Sequence, residues 1–112
     1  MQEFDKEWWE KFRHEEVENI LNLTAKKNSD YTGGQSNGNP FANFDESSEF
    51  GVDPLTGICI RMADKFQRAK AYCNDGRLSV CTEGDQAADI FRDLIGYSLI
   101  ALGMIERQSR QP

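Results

Sequence analysis

Apolar residues recur at helical spacing in three stretches of the chain, and the pattern breaks between them. In the first stretch, Phe4, Trp8, Phe12, Ile20 and Thr24 follow one side of a helix, with Trp9, Val17, Leu21 and Leu23 close beside them. A helix turns once in about 3.6 residues, so side chains four apart share a face. The spacing predicts a first helix from about Glu3 to Ala25, ended by Lys26 to Tyr31. Thr32 to Pro40 (TGGQSNGNP) then breaks regular structure and has too little apolar surface to hold one conformation. It is expected to be a flexible loop over about residues 32–40. Phe41 to Phe50 reads as a short helix, with Phe41, Phe44 and Phe50 as anchors to the body.

Asp53-Pro54 is a helix-start signal, a capping residue followed by proline at the first helical position. The second long helix is expected from Pro54 to Cys73, with Ile58, Met62, Phe66, Ala69 and Cys73 as its buried stripe. Asn74-Asp75-Gly76 is a turn, and Arg77 to Gly84 a connector. The third runs from about Asp85 to Gln108. Ile90, Leu94, Tyr97, Ala101 and Met104 form one stripe, while Phe91, Ile95, Leu99, Ile100, Leu102 and Ile105 fill much of the rest. From Leu94 onward it is apolar nearly all round, the mark of a central, buried helix. Gly96 and Gly103 share a face of it, and a mid-helix glycine costs about 1 kcal/mol against alanine. Such glycines point to very close helix packing, within the chain or against a second subunit.

These elements predict an all-α fold: an antiparallel helical bundle of three long helices plus one short helix. It forms a single domain over residues 1–112, with a frayed tail at 109–112. A lone bundle this thin would leave the glycine face open, so a homodimer or higher homo-oligomer is expected, with sites lined by two subunits.

Composition narrows the function classes. The formal net charge of -6 argues against binding a nucleic-acid polymer through a broad basic surface. A small nucleotide needs only a local cationic pocket or a metal ion. No apolar run reaches the length of a membrane span, and the acidic, aromatic MQEFDKEWWE is no signal peptide, so the expected location is the cytoplasm. Cys59, Cys73 and Cys81 lack metal-site spacing and read as free thiols, Cys59 and Cys73 as small core residues. His14, the only histidine, stands among acidic neighbours and reads as a surface residue.

Two charge patterns are candidate chemistry. Asp85, Asp89 and Asp93 stack three carboxylates on one helix face, where like charges repel by about 0.2–0.5 kcal/mol per pair. The helix dipole offsets this near the N-terminus but not at Asp93. The stripe is either a solvated face or one wall of an acidic, metal-binding cavity, with Asp93 the least exposed. Arg61, Asp64, Lys65 and Arg68 form the second pattern: an exposed face of ion pairs, or a basic phosphate clamp with one carboxylate at its centre. Glu16 falls in the apolar stripe of the first helix, and either reaches water at its edge or faces the same cavity as the aspartates.

Several landmarks together resemble a known family. They are Lys27-x-x-Asp30-Tyr31, the Gly/Asn-rich loop, Phe41 to Phe44, Arg61-Met62-x-Asp64-Lys65-x-x-Arg68, and Asp89-x-x-x-Asp93-Leu94-x-Gly96-Tyr97. The chain resembles, over roughly residues 20 to 105, the nucleotide-modification-associated domain 1 proteins common in phages. That family is similar to the all-α, MazG-like nucleoside triphosphate pyrophosphohydrolases. The resemblance implies a MazG-like fold and a phosphorylated nucleoside as ligand. Lys27, Arg61, Lys65 and Arg68 would contact phosphates, with Asp30 in the same motif. Tyr31, Phe41 or Phe44 would stack on the base. Asp64, Asp89 and Asp93, with Asp85 one turn earlier, would hold Mg2+. MazG-like enzymes use E-x-x-E and E-x-x-D pairs. Here the second pair is spaced i,i+4 and the preceding helix carries Asp64 alone on its polar face. Two activities stay open: magnesium-dependent pyrophosphohydrolysis, or binding without catalysis, as in sequestering a host signalling nucleotide. A small structural protein whose charges are surface pairs is the third reading.

Overall fold

The computed structural model describes residues 3–32, 39–75 and 87–110, and every element they form is helical. The order is α1 (Lys6–Thr32), α2 (Ala42–Glu46), a single 3-10 turn (Ser47–Phe50), α3 (Pro54–Asp75) and α4 (Ala87–Arg110). Residues 33–38 of the expected loop, the whole connector with Cys81, and Asp85 lie outside the described residues.

Local chemistry sets the helix ends. Asp5 caps α1, its carboxylate accepting from the Trp8 N–H at 3.1 Å, so the helix starts at Lys6 rather than Glu3. It also runs past Ala25 to Thr32. Lys26 to Asp30 contain no glycine or proline, and the first strong breaker in the sequence is Gly33. Lys27, Asp30 and Tyr31 therefore lie on the last turns of α1 rather than beyond it. Asp53 caps α3 through the N–H groups of Leu55 (3.1 Å) and Thr56 (3.3 Å), with Pro54 at the first helical position. Asn39 accepts from the Phe41 N–H at 2.9 Å, and Gly51 takes φ +77° just before α3.

The α3–α4 pair carries the core. Ala69 packs with Ile90 and Leu94 at one end, while Ile58 packs with Met104 and Phe44 at the other. The start of α3 thus meets the end of α4, and the two run antiparallel. Met62 touches both clusters. α1 lies on another side of α4 and runs in its direction, since Glu16 reaches Arg92 and Thr24 faces Gly96. α4 is central in this sense: it packs against both α1 and α3, whose backbones do not come close to each other among the described residues.

Four sequence expectations are corrected by this arrangement. The inward-facing stripe of α3 is Ile58, Met62, Lys65 and Ala69, at spacing 4-3-4, with Ile58 and Ala69 buried and Met62 and Lys65 half-buried; Phe66, Cys59 and Cys73 lie off that phase and are exposed. The aromatic stripe of α1 does not reach the core. Ile20 is buried, but Phe4, Trp8 and Phe12 are exposed, because α4 runs beside α1 only from about Glu16 onward. The rings of Trp8 and Phe12 stack on each other at 5.4 Å instead. α4 is not buried all round: Phe91, Ile95, Leu99, Leu102 and Ile105 face outward. Phe50 is 85% exposed and anchors nothing.

The glycine face is filled within the chain. A Cβ at Gly96 would stand 2.8 Å from the Thr24 Cγ2, and one at Gly103 would stand 3.0 Å from the Phe41 Cζ. The close approach inferred from these glycines is real, but its partners are α1 and the residue before α2 rather than a second subunit.

Candidate functional site

The charged residues gather along α4 where α3, α1 and the α2 segment meet it. Lys65 takes the stripe position on α3 where an apolar residue would otherwise stand. Its Nζ lies 2.9 Å from an Asp93 carboxylate oxygen, with both side chains largely withdrawn from solvent. The lysine stem fills the apolar seam while its ammonium meets the aspartate. Asp93 is the more withdrawn of the two aspartates described on α4, its side chain 16% exposed against 40% for Asp89.

One turn earlier, Asp89 accepts from Arg92 at 2.7 Å, and the same guanidinium donates to Glu16 on α1. Glu16 therefore faces the aspartates rather than open water, with Arg92 between them. The Glu16 hydrogen bond, then the Asp89 bond, raises the Arg92 pKa above the ordinary guanidinium value. The two α4 carboxylates are each neutralised by a different cation, which is how their i,i+4 repulsion is tolerated.

At the far end of α4, Arg107 makes a two-pronged pair with Asp45, at 2.9 and 3.1 Å. That pairing raises its pKa. Its guanidinium also lies 4.3 Å from the centre of the Phe41 ring. Phe41 is thus held between this cation and the Gly103 backbone, half-buried. Phe44 is a core side chain packed with Ile58 and Met104, and the Arg61 guanidinium lies 5.7 Å from its ring centre.

The remaining predicted residues are placed as follows. Arg61 is exposed and Arg68 half-buried, on the same side of α3 as Lys65. Asp64 is exposed, one residue along from Lys65. Lys27, Asp30 and Tyr31 are on the last turns of α1, with side chains outside what the structure describes, and Asp85 lies outside the described residues. The fold brings together Lys65 with Asp93, and Arg61 with Phe44. It does not bring Asp64 onto the two α4 aspartates: among the described residues no three metal-ligating side chains converge.

Sequence reasoning passed over Arg92 and Arg107. A signal was present: Arg92, Gly96, Gly103 and Arg107 fall at spacing 4-7-4, one face with small residues in the middle and arginines at both ends. That face meets Glu16, Thr24, Phe41 and Asp45 in turn.

The oxygen donors of Asp89 and Asp93 suit Mg2+, which commonly uses one or two carboxylates together with substrate phosphates. A metal there would have to displace Lys65 from Asp93 and Arg92 from Asp89. A phosphate would draw the same two cations the other way. Comparison of the chain with family models, curated proteins and solved structures finds no match.

Proposed function

We propose that this chain handles nucleotides by binding a phosphorylated nucleoside at the charged seam of α3 and α4. The observation that carries the reading is the half-buried Lys65–Asp93 pair. A solvated surface pair contributes little and has no reason to stand in the seam of two helices. A pair whose cation a phosphate can claim, and whose anion a divalent metal can claim, has such a reason. Lys65, Arg61 and Arg68 contact the phosphates from α3, and Lys27 from the end of α1. The base stacks on Tyr31, since Phe41 is already taken up by Arg107 and Gly103 and Phe44 serves the core. Asp30 stays with Tyr31 in the same motif. The finer fold reading, a MazG-like bundle of three long helices and one short, belongs to this proposal. So does a second copy of the chain as partner.

In the enzyme form, Asp89 and Asp93, with Asp85 one turn earlier, would hold Mg2+, which would supply polarisation of a phosphoryl group and a bound water of lowered pKa; Asp64, exposed on α3, stands apart from that set. Lys65 and Arg61 then stabilise charge developing on the phosphates. The rival form binds without catalysis, as a protein that sequesters a host signalling nucleotide does. It is favoured by one observation: both described aspartates of α4 already carry a cation, so those carboxylates are balanced without a metal.

Calorimetric titration of nucleoside mono-, di- and triphosphates, with Mg2+ and with chelator, tests both forms alongside a pyrophosphate-release assay. Binding that needs Mg2+ and yields pyrophosphate supports the enzyme. Binding indifferent to chelator, with no product, supports the binder. No binding of any nucleotide overturns the proposal and leaves a structural protein.

A further inference from the structure

The glycine face of α4 is filled from within the chain, yet α4 keeps another face open. Phe91, Ile95, Leu99, Leu102 and Ile105 are between 44% and 63% exposed. Phe91, Ile95, Leu102 and Ile105, with Ser98 between them, are spaced 4-3-4-3, the alternation that lets one helix lie along another as in a coiled coil. The Ser98 hydroxyl donates to the Leu94 carbonyl at 2.8 Å, so it can be covered without leaving a polar group unpaired. No charged residue occurs from Leu94 to Ile105.

α1 enlarges this face. Glu16 and Ile20 turn toward α4, and Val17 and Leu21, each one residue further on, are exposed. In two helices running the same way, a step forward from the contact on one and a step back on the other reach the same side of the pair. Val17 and Leu21 therefore adjoin Phe91 and Ile95. Seven large side chains at about half exposure offer roughly 100 Å² each, close to the ~800 Å² per partner of a standard stable interface.

The geometry points to a second copy of this chain as the occupant, its α4 lying antiparallel across the first about a two-fold axis at Ser98. This deepens the homo-oligomer part of the function proposed above, and stands whether or not the charged seam binds nucleotide. A chain of net charge -6 repels its own copies through most surfaces, and this uncharged face is where it can meet itself. The axis sets Ser98 against Ser98 and Phe91 against Ile105, so each contact is made twice. The antiparallel sense follows from α1. Its residues 3–18 hold seven acids against three bases and lie toward the N-terminal end of α4. Parallel pairing would set these two acidic segments side by side, and antiparallel pairing puts them at opposite ends.

Sedimentation analysis of the full chain at micromolar concentration tests this. The wild type should be a dimer. Leu102→Glu, at an exposed position, should keep its helical circular dichroism and weaken dimerisation about a hundredfold or more. Phe66→Glu, on the outer side of α3, should leave the dimer intact. Ser98→Cys should give, on mild oxidation, a dimer linked through that position in both copies, identified by peptide mass. A wild type that stays a single chain overturns both this interface and the homo-oligomer reading, the face then belonging to another protein or to other residues of this chain. A dimer that survives Leu102→Glu keeps the oligomer and overturns the face. A dimer broken by Leu102→Glu but unlinked by Ser98→Cys overturns the antiparallel register.

Discussion

At the scale of single residues, the molecule turns on cations placed between acids. Arg92 joins Glu16 of α1 to Asp89 of α4 and so ties α1 to the rest of the fold. Arg92→Met should leave two carboxylates facing each other without their shared donor. Charged hydrogen bonds of this kind are worth roughly 1.5–3 kcal/mol when withdrawn from water, and less when partly solvated, as here. A loss of about 1–2 kcal/mol in urea unfolding is expected. Glu16→Gln in the Arg92→Met background should then cost almost nothing more; a full additive loss would show that the two do not interact. Sequence reasoning left Glu16 with two readings because its position in an apolar stripe fitted both. What settles it is Arg92, whose reach from α4 is a tertiary fact no local spacing contains. Lys65 was legible as a cation but not as a stripe residue. The pattern 58, 62, 66, 69 reads as well as 58, 62, 65, 69, and the choice is made by Asp93 on another helix.

At the scale of elements, the start of α3 was readable because Asp53-Pro54 carries its own cap, and the Asp89–Asp93 part of the aspartate stripe because it needs only helix geometry. The end of α1 was not, since Asn28, Ser29 and Asp30 are mediocre helix formers that helix continuation can carry through. The glycines of α4 were readable as close contacts, but their partners were not. Gly96 makes the sharper test. An alanine there puts Cβ 2.8 Å from the Thr24 Cγ2, and Thr24 is held by its own hydroxyl bond to the Leu21 carbonyl at 3.1 Å. Gly96→Ala should destabilise by about 1–3 kcal/mol through overpacking. Thr24→Ser removes the offending methyl and keeps the hydroxyl. In that background Gly96→Ala should be neutral, or stabilising by up to about 1 kcal/mol from helix propensity. Thermal melts of the four proteins decide it, and a penalty that persists without the methyl would place the clash elsewhere.

At the scale of the whole molecule, the single chain is long and thin. Its radius of gyration is 16.5 Å, against about 13 Å for a compact domain of this length. The overhang of α1 accounts for part of the difference. Both tryptophans of the chain, Trp8 and Trp9, sit there and are exposed. Acrylamide should quench their fluorescence nearly as freely as that of a short peptide, and equally in wild type and Leu102→Glu, because they lie away from the open face of α4. Strong protection would mean that the overhang is covered. Among the described residues, no helix is long and apolar enough to cross a membrane. Helix periodicity alone could not distinguish the exposed apolar faces from core.

The central claim is that Lys65 in the α3–α4 seam takes a phosphate and leaves Asp93 to do so. Nucleotide titration of Asp93→Asn in chelator tests it most directly. Freeing Lys65 and removing a neighbouring anion should tighten binding about tenfold, equivalent to ~1.4 kcal/mol, and the gain should vanish in the Lys65→Met background. Affinity unchanged by either substitution would contradict the claim, because the half-buried pair would then take no part in holding the ligand.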